Sequence, residues 1–198
     1  VKPGNSKYVD VNKDGVYNDA DQGIIGCGQP TFNWGWNNTF NYKNFDFSFF
    51  VVGFHGFDIY NATHQMGYNL IKSQQMAGVT PMRELLNRWT PTNTNTDIPG
   101  FVKGGTENKD FFSTRFVENG SFIKMKSITL GYTLPEATCR SLGINNLRVY
   151  ASVQNPFHIT KYSGLDPEAT MGSPLVQGVD WGAYPNSRNY LIGLNFSF

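Results

Sequence analysis

The stretch Arg188-Asn189-Tyr190-Leu191-Ile192-Gly193-Leu194-Asn195-Phe196-Ser197-Phe198 decides the fold. Tyr190, Ile192, Leu194, Phe196 and Phe198 share one parity, and Asn189, Gly193, Asn195 and Ser197 share the other; only Leu191 breaks the pattern. A repeat of two belongs to a strand, because a helix repeats near 3.6. Aromatics stand toward both ends of the apolar row and the other face is small and polar, which suits a strand between lipid and a watery lumen. About 10 residues rising roughly 3.3 Å each and tilted near 45° cover the apolar height of an outer membrane. An edge strand of a soluble sandwich also alternates, so this segment alone leaves both architectures open.

Working outward, the same signal recurs. Phe32, Trp34, Trp36 and Phe40 oppose Asn33, Gly35, Asn37 and Thr39. After the polar link Asn41-Tyr42-Lys43-Asn44, Phe45, Phe47, Phe49 and Val51 alternate with Asp46 and Ser48, which predicts a hairpin with a tight turn. Ile128, Leu130, Tyr132 and Leu134 form another apolar face, but Lys124 and Lys126 share their parity. A bulge, or a position above the apolar zone, would each account for those lysines. Leu147, Val149, Ala151 and Val153 oppose Arg148, Tyr150, Ser152 and Gln154. Five long strands are therefore expected at about 31–41, 45–54, 121–134, 147–155 and 188–198.

Short and long connections alternate between them, as in an outer-membrane barrel with short periplasmic turns and long external loops. If the chain ends on the periplasmic side, 42–44 and 135–146 lie in the periplasm, and 1–30, 55–120 and 156–187 lie outside. The chain divides into a loop at 1–30, a hairpin at 31–54, a long external loop at 55–120, and the last three strands with their loop at 121–198. Within the long loop, Thr80 is expected to cap a helix starting at Pro81, and Asn119-Gly120 to turn a small hairpin between Arg115 and Phe122. Five strands cannot close a membrane barrel, whose minimum is about eight, and an open edge in lipid leaves backbone groups unpaired. The expected fold is all-β, the C-terminal strands of a larger antiparallel transmembrane barrel. Beginning at Val1-Lys2-Pro3 with no initiator Met, the chain reads as a piece of something longer.

Composition agrees. The 198 residues allow one domain or two small ones, and a net charge of +1 without basic clusters excludes a nucleic-acid footprint. A mean hydropathy of -0.37 looks soluble, but 15% aromatic against 16% charged residues is how a barrel hides its membrane signal, half of each strand being polar. No apolar run approaches the roughly 18 residues of a spanning helix.

One motif stands apart. Asp10, Asn12, Asp14, Val16, Asn18 and Asp21 match the oxygen positions of a calcium loop, with Gly15 at the turn. Val16 would give its carbonyl, and Asp21, shorter than the usual Glu, would close the loop with modest affinity. A polar turn built from Asp-Gly and Asn-Asp is the plainer reading.

The string Arg115 to Pro135 resembles the penultimate region of SusC-like (SusC/RagA family) TonB-dependent transporters of Bacteroidetes. So do Val149-Tyr150 through Gln154-Asn155-Pro156-Phe157, Thr160 to Gly164 with Asp166-Pro167-Glu168, and Tyr184-Pro185 to Phe198. The Asp10–Asp21 loop, Tyr42 to Phe45 and Asp58 to Asn61 are similar as well. Pro156, where the family more often has Leu, and Cys27, in place of a polar residue, depart from the pattern. The resemblance implies a plugged barrel of about 22 strands in the outer membrane of a Gram-negative bacterium. It would import oligosaccharides or peptides with energy from TonB acting on the plug, under a SusD-like surface lipoprotein. The plug is absent from these residues.

No catalytic constellation emerges, and the chain reads as no enzyme. His55, His64 and His158 stand apart from any Cys or carboxylate at ligand spacing, and Glu84, Glu107, Glu118, Glu136 and Glu168 are scattered. Cys27 and Cys139 fall on opposite sides of the membrane by strand parity and are expected to be free thiols. Trp89, Tyr162, Trp181 and Tyr184 are the candidate ligand-binding residues, since loop aromatics stack on sugars and amphipathic ligands; packing of loop on loop, or against a lid, would use them equally. Gly164 to Glu168 reads as a rigid turn. A secreted, calcium-stabilised β-sandwich that binds glycans and a secreted glycoside hydrolase are the competing classes, and both should dissolve without detergent.

Overall fold

A computed structural model describes residues 3–68, 81–100, 112–141, 143–168 and 177–198. The strands are β1 (Phe32–Tyr42), β2 (Phe45–His55), β3 (Asp58–Asn61), β4 (Val117–Asn119), β5 (Phe122–Thr133), β6 (Asn146–Gln154), β7 (His158–Thr160), β8 (Val179–Asp180) and β9 (Asn189–Ser197). Two short helices are α1 (Ala62–Tyr68) and α2 (Glu136–Ser141). The five long strands lie within a residue of their expected ends. They form one antiparallel sheet in the order β1-β2-β5-β6-β9, with β7 joining β5 beyond the end of β6.

Register sorts the side chains onto two unlike faces. On one, Trp36 stands beside Val51 and Phe40 beside Phe47. Phe47 is next to Leu130, Leu130 to Ala151, and Ala151 to Ile192. These side chains have little over them: Trp36 is 55% exposed, Leu130 51% and Ile192 85%. The other face carries Asp46, Ser48, Thr129, Gly131, Arg148, Ser152 and Asn195 at the alternate positions. There Arg148 donates from Nε to Asp46 Oδ1 at 2.8 Å, and Thr129 and Ser152 hydroxyls meet at 2.8 Å.

A second, small sheet has the order β4-β3-β8, in which β3 and β8 run parallel. It supplies Ile59 to a cluster with Phe57, Val52, Phe122 and Tyr162. Val52 and Phe122 have the parity of the polar face, so the small sheet caps one end of that face. It is not a second sandwich layer. Among the described residues no hydrophobic cluster forms on the apolar face. The opposite end of the large sheet holds the β1–β2 turn, with Lys43 at φ 54, and α2, where Cys139 is 1% exposed.

The connections differ from expectation in three places. Asn119-Gly120 does not turn a hairpin: β4 pairs with β3, and the chain passes straight on into β5. The hairpin turn requires positive φ at both residues, and neither has it. Gly120 is needed for closeness instead, since a Cβ there would lie 2.4 Å from the Phe57 ring. Residues Arg83–Asn87 form a 3-10 turn that begins after Met82, with no side-chain cap, in place of a helix starting at Pro81; Thr80, the expected cap, lies outside the described residues. The loops at 55–120 and 156–187 also contain ordered pieces, β3, α1 and β4 in one, β7 and β8 in the other.

Candidate functional site

The ordered groups of the loops gather at the capped end of the polar face, and a bulge in β5 organises them. Phe50 stands opposite Ser127 but Val51 opposite Met125, so Lys126 is the extra residue. The other neighbour of β5 breaks at the same level, where Asn155 (φ 48) and Pro156 separate β6 from β7 and the Asn155 amide donates to the Lys126 carbonyl at 2.9 Å. Pro156 lacks an N–H, which a strand can spare only at such a break. The bulge reverses the parity of β5. Met125 and Ile123 take the apolar face, and Lys124 turns to the polar one beside Val52. A bulge is therefore present, and it puts Lys124 on the polar face.

Lys124 is 2% exposed, and its Nζ donates to Asp166 Oδ2 and Glu168 Oε2, each at 2.8 Å. Lys126 donates to the other Glu168 oxygen. The amides of Glu168 and Asn186 donate to Asp166, and the Asn186 side chain donates to Glu168 at 3.0 Å. Burial pushes the Asp166 and Glu168 carboxyls up, but the lysines and these donors outweigh it and hold both below the usual carboxylate range. Gly164 to Glu168 is thus more than a rigid turn: it is an ion-paired anchor.

A second group joins the loops to one another. Glu118 accepts from the Ser163 amide and hydroxyl, each at 2.8 Å, and from Asn61 Nδ2 at 2.9 Å. His64 is not isolated. Its ring nitrogens lie 3.7 Å from Glu84 and 3.7 Å from Glu118, residues far from it in sequence. Burial raises the Glu118 carboxyl, and Ser163, Asn61 and His64 more than reverse it. His55 accepts the Trp34 indole N–H at 3.1 Å. Glu136 pairs with Arg140 on the exposed side of α2. Glu107 lies outside the described residues.

The four aromatic candidates separate. Tyr162 is 5% exposed within the apolar cluster and donates to Asp180 at 2.6 Å, so it is a packing residue whose ring offers no face to a ligand. Burial, with the Asp180 carboxylate beside it, pushes its hydroxyl well above the usual phenol range. Trp89 packs loop on loop: a Cβ on Gly4 would lie 2.3 Å from its ring, and one on Gly100 3.2 Å. A shallow pocket of about 160 Å³ opens beside it, lined by Asn5, Arg88 and Thr90. Trp181 and Tyr184 follow β8 and are 45% and 90% exposed.

The Asp10–Asp21 loop closes on itself. Asp10 accepts from the amides of Asp14 at 3.2 Å and Gly15 at 2.8 Å. Asp21 accepts from Val11 at 2.8 Å and Asn18 at 2.9 Å. The Asn18 amide, against the opposing effect of burial and with help from Val11 and Asn12, holds the Asp21 carboxyl low. Gly15 sits at φ +81, where the calcium-loop spacing puts a glycine. The donor set is all hard oxygen and fits calcium. Among the described residues no three His, Cys, Asp or Glu side chains converge as a metal cluster. Cys27 and Cys139 are free and sit at opposite ends of the large sheet, Cys27 accepting at its carbonyl from Asp58 and Cys139 beside Leu134.

No protein-family model matches the chain. Individual proteins do. TonB-dependent receptor P3 of Formosa agariphila is 36% identical over 99% of this chain, and TonB-dependent receptor SusC of Bacteroides thetaiotaomicron is 32% identical over all of it. The chain belongs to the SusC-like TonB-dependent receptors. It spans about a fifth of the length of those relatives, 19% of the first and 18% of the second. The structure of the RagAB peptide transporter superposes with a TM-score of 0.76 at 26% identity, over 92% of this chain and 19% of that one. The RagAB peptide importer in its closed-closed state gives 0.74 at 27% identity. For a SusC-like segment, the free apolar face and the polar face under folded loops are the two sides of a barrel wall.

Sequence reading missed Lys124, Asp166 and Glu168 as partners. Two lysines on the apolar parity of one strand and two acids in one loop were the available signal.

Proposed function

We propose that this chain is the C-terminal part of the barrel of an outer-membrane, TonB-dependent importer of nutrients in a Gram-negative bacterium of the Bacteroidetes. The observation that carries the reading is the uncovered apolar face, from Trp36 across Phe47 and Leu130 to Ile192, backed by a polar face under folded loops. Lipid is the solvent that suits such a face, and only a closed barrel lets strands satisfy their backbone groups there. The relatives' names support TonB dependence, and closure at about 22 strands follows the size class of outer-membrane transporters. The cargo is an oligosaccharide or a peptide, a SusD-like lipoprotein covers the external loops, and TonB acts through the plug of the full-length protein. The Asp10–Asp21 loop takes Ca2+ and braces the external end.

The test fractionates cells that make the full-length protein. Extraction should require detergent, and a SusD-like lipoprotein should copurify. A strain lacking the gene should lose growth on one oligosaccharide or one peptide mixture supplied as carbon source. Loss on oligosaccharide alone or on peptide alone assigns the cargo. A freely soluble protein that needs no detergent would sink the proposal.

A further inference from the structure

The stretch from Tyr162 to Ser187 is long enough to stand out from the wall as part of the rim, yet its described residues do not. The bulge at Lys126 places Lys124 on the polar face, and Asp166 and Glu168 reach it there at 2.8 Å. Asn186, just before β9, joins the same group. Tyr162 sits in the cluster with Val52 and Phe122, again on the polar face. Both feet of the loop are therefore tied to the inner side of the sheet.

We infer that Lys124 is a positioning residue that anchors the two described feet of this loop, 162–168 and 177–187, on the polar face, so that Leu165, Trp181 and Tyr184 line the substrate passage and do not stand on the outer rim. The inference rests on the barrel reading above, in which the polar face is the lumen. It also says what these feet offer the passage. From Tyr162 to Ser187 the only charged residues are Asp166, Glu168 and Asp180. Asp166 and Glu168 are spent on the lysines, and Asp180 accepts from Tyr162, Gly182 and Ala183. Among the described residues of the stretch, the exposed large apolar side chains are Leu165 at 69%, Trp181 and Tyr184. Such a surface suits the faces of uncharged sugars or apolar peptide side chains better than a polyanion.

Size-selective labelling of the full-length receptor in intact cells tests this. In a Cys27→Ser background, Leu165→Cys should react with biotin maleimide and resist a long polyethylene glycol maleimide, because a residue held on the lumen side is reached only by the small reagent. Adding Lys124→Met should remove that resistance. If Lys124→Met fails to reach the membrane, Asp166→Asn, which keeps the shape and weakens the pairing, takes its place. Equal labelling by both reagents without the anchor substitution overturns the inward placement of Leu165. Unchanged resistance in the anchor variants overturns the role of Lys124. Receptor that is absent from the detergent-dependent membrane fraction overturns the barrel reading, so the two failures are told apart.

Discussion

The ammonium of Lys124 and the carboxylate of Asp166 meet at 2.8 Å with both side chains 3% exposed. One sits on a strand and the other in a loop, so this contact joins wall to loop rather than strengthening either. A buried pair of this kind adds little over an apolar substitute, but removing Lys124 strands the Asp166 charge at a cost of about 3–5 kcal/mol, whereas without Asp166 the lysine keeps Glu168. Its weight falls on where the loop lies.

Acid should release the loop. Asp166 and Glu168 titrate below their ordinary values of 3.8 and 4.5 when folded. A carboxyl with a depressed folded value stabilises the fold fully above its unfolded value, and that contribution disappears as pH falls through the folded one. Thermal unfolding of the detergent-solubilised full-length receptor should hold level from neutrality to about pH 5 and decline below it. Asp166→Asn should start lower at neutral pH and decline less. A variant that tracks the wild type at every pH would show that the pair contributes nothing.

The two faces of β9 should tolerate charge differently. Leu194 is 61% exposed on the apolar face, and Asn195 is its neighbour on the polar one. An arginine facing lipid near mid-depth costs about 2–4 kcal/mol, whereas one facing a lumen is solvated. Leu194→Arg should sharply reduce the heat-modifiable, folded receptor in the outer membrane, and Asn195→Arg should leave it near the wild-type amount. Equal yields would mean that the apolar face does not meet lipid.

What the sequence disclosed, and what it hid, follows from how each feature is encoded. The long strands are written locally, in a period of two that Tyr190 to Phe198 shows without help. β3 and β8 carry no such pattern, because Tyr60 and Val179 pair across more than a hundred residues and each strand is too short to alternate. The bulge at Lys126 depends on the register of β2, so β5 read alone left its lysines undecided. Tyr162 looked like a ligand aromatic because nothing local tells a buried loop residue from an exposed one. Asn119-Gly120 carried a real signal with the wrong partner, the glycine serving closeness to Phe57.

Two glycines on the polar face should resist a single methyl group. A Cβ on Gly131 would lie 2.4 Å from Asp46 Oδ1 and 2.5 Å from an Arg148 nitrogen, and one on Gly193 would lie 2.3 Å from the Tyr150 ring. Alanine at either site must displace its neighbour, at about 1–3 kcal/mol. Gly143 has φ +69 but nothing within 4 Å, so alanine there costs only backbone strain. That is about 1–2 kcal/mol. Thermal unfolding in detergent compares the three. Because the Asp46–Arg148 pair depends on its geometry, Gly131→Ala should also lose stability when Arg148→Lys is added by less than the wild type does.

The loop proposed to take calcium carries its own reporter. Tyr8 and Tyr17 stack with ring centroids 4.7 Å apart, and Tyr17 lies inside the Asp10–Asp21 loop. Terbium takes the same hard oxygen ligands as calcium and emits when a nearby tyrosine is excited, so the full-length receptor, stripped of cations, should show sensitised terbium emission that calcium displaces. Asp10→Ala and Asp14→Ala each remove a carboxylate that the proposal makes a ligand, and each should lose the emission. Tyr17→Phe removes the sensitiser without touching a ligand, so it should dim the emission and leave the calcium needed for displacement unchanged. Emission that survives Asp10→Ala and Asp14→Ala together would place the bound terbium elsewhere and reduce this loop to a hydrogen-bonded turn.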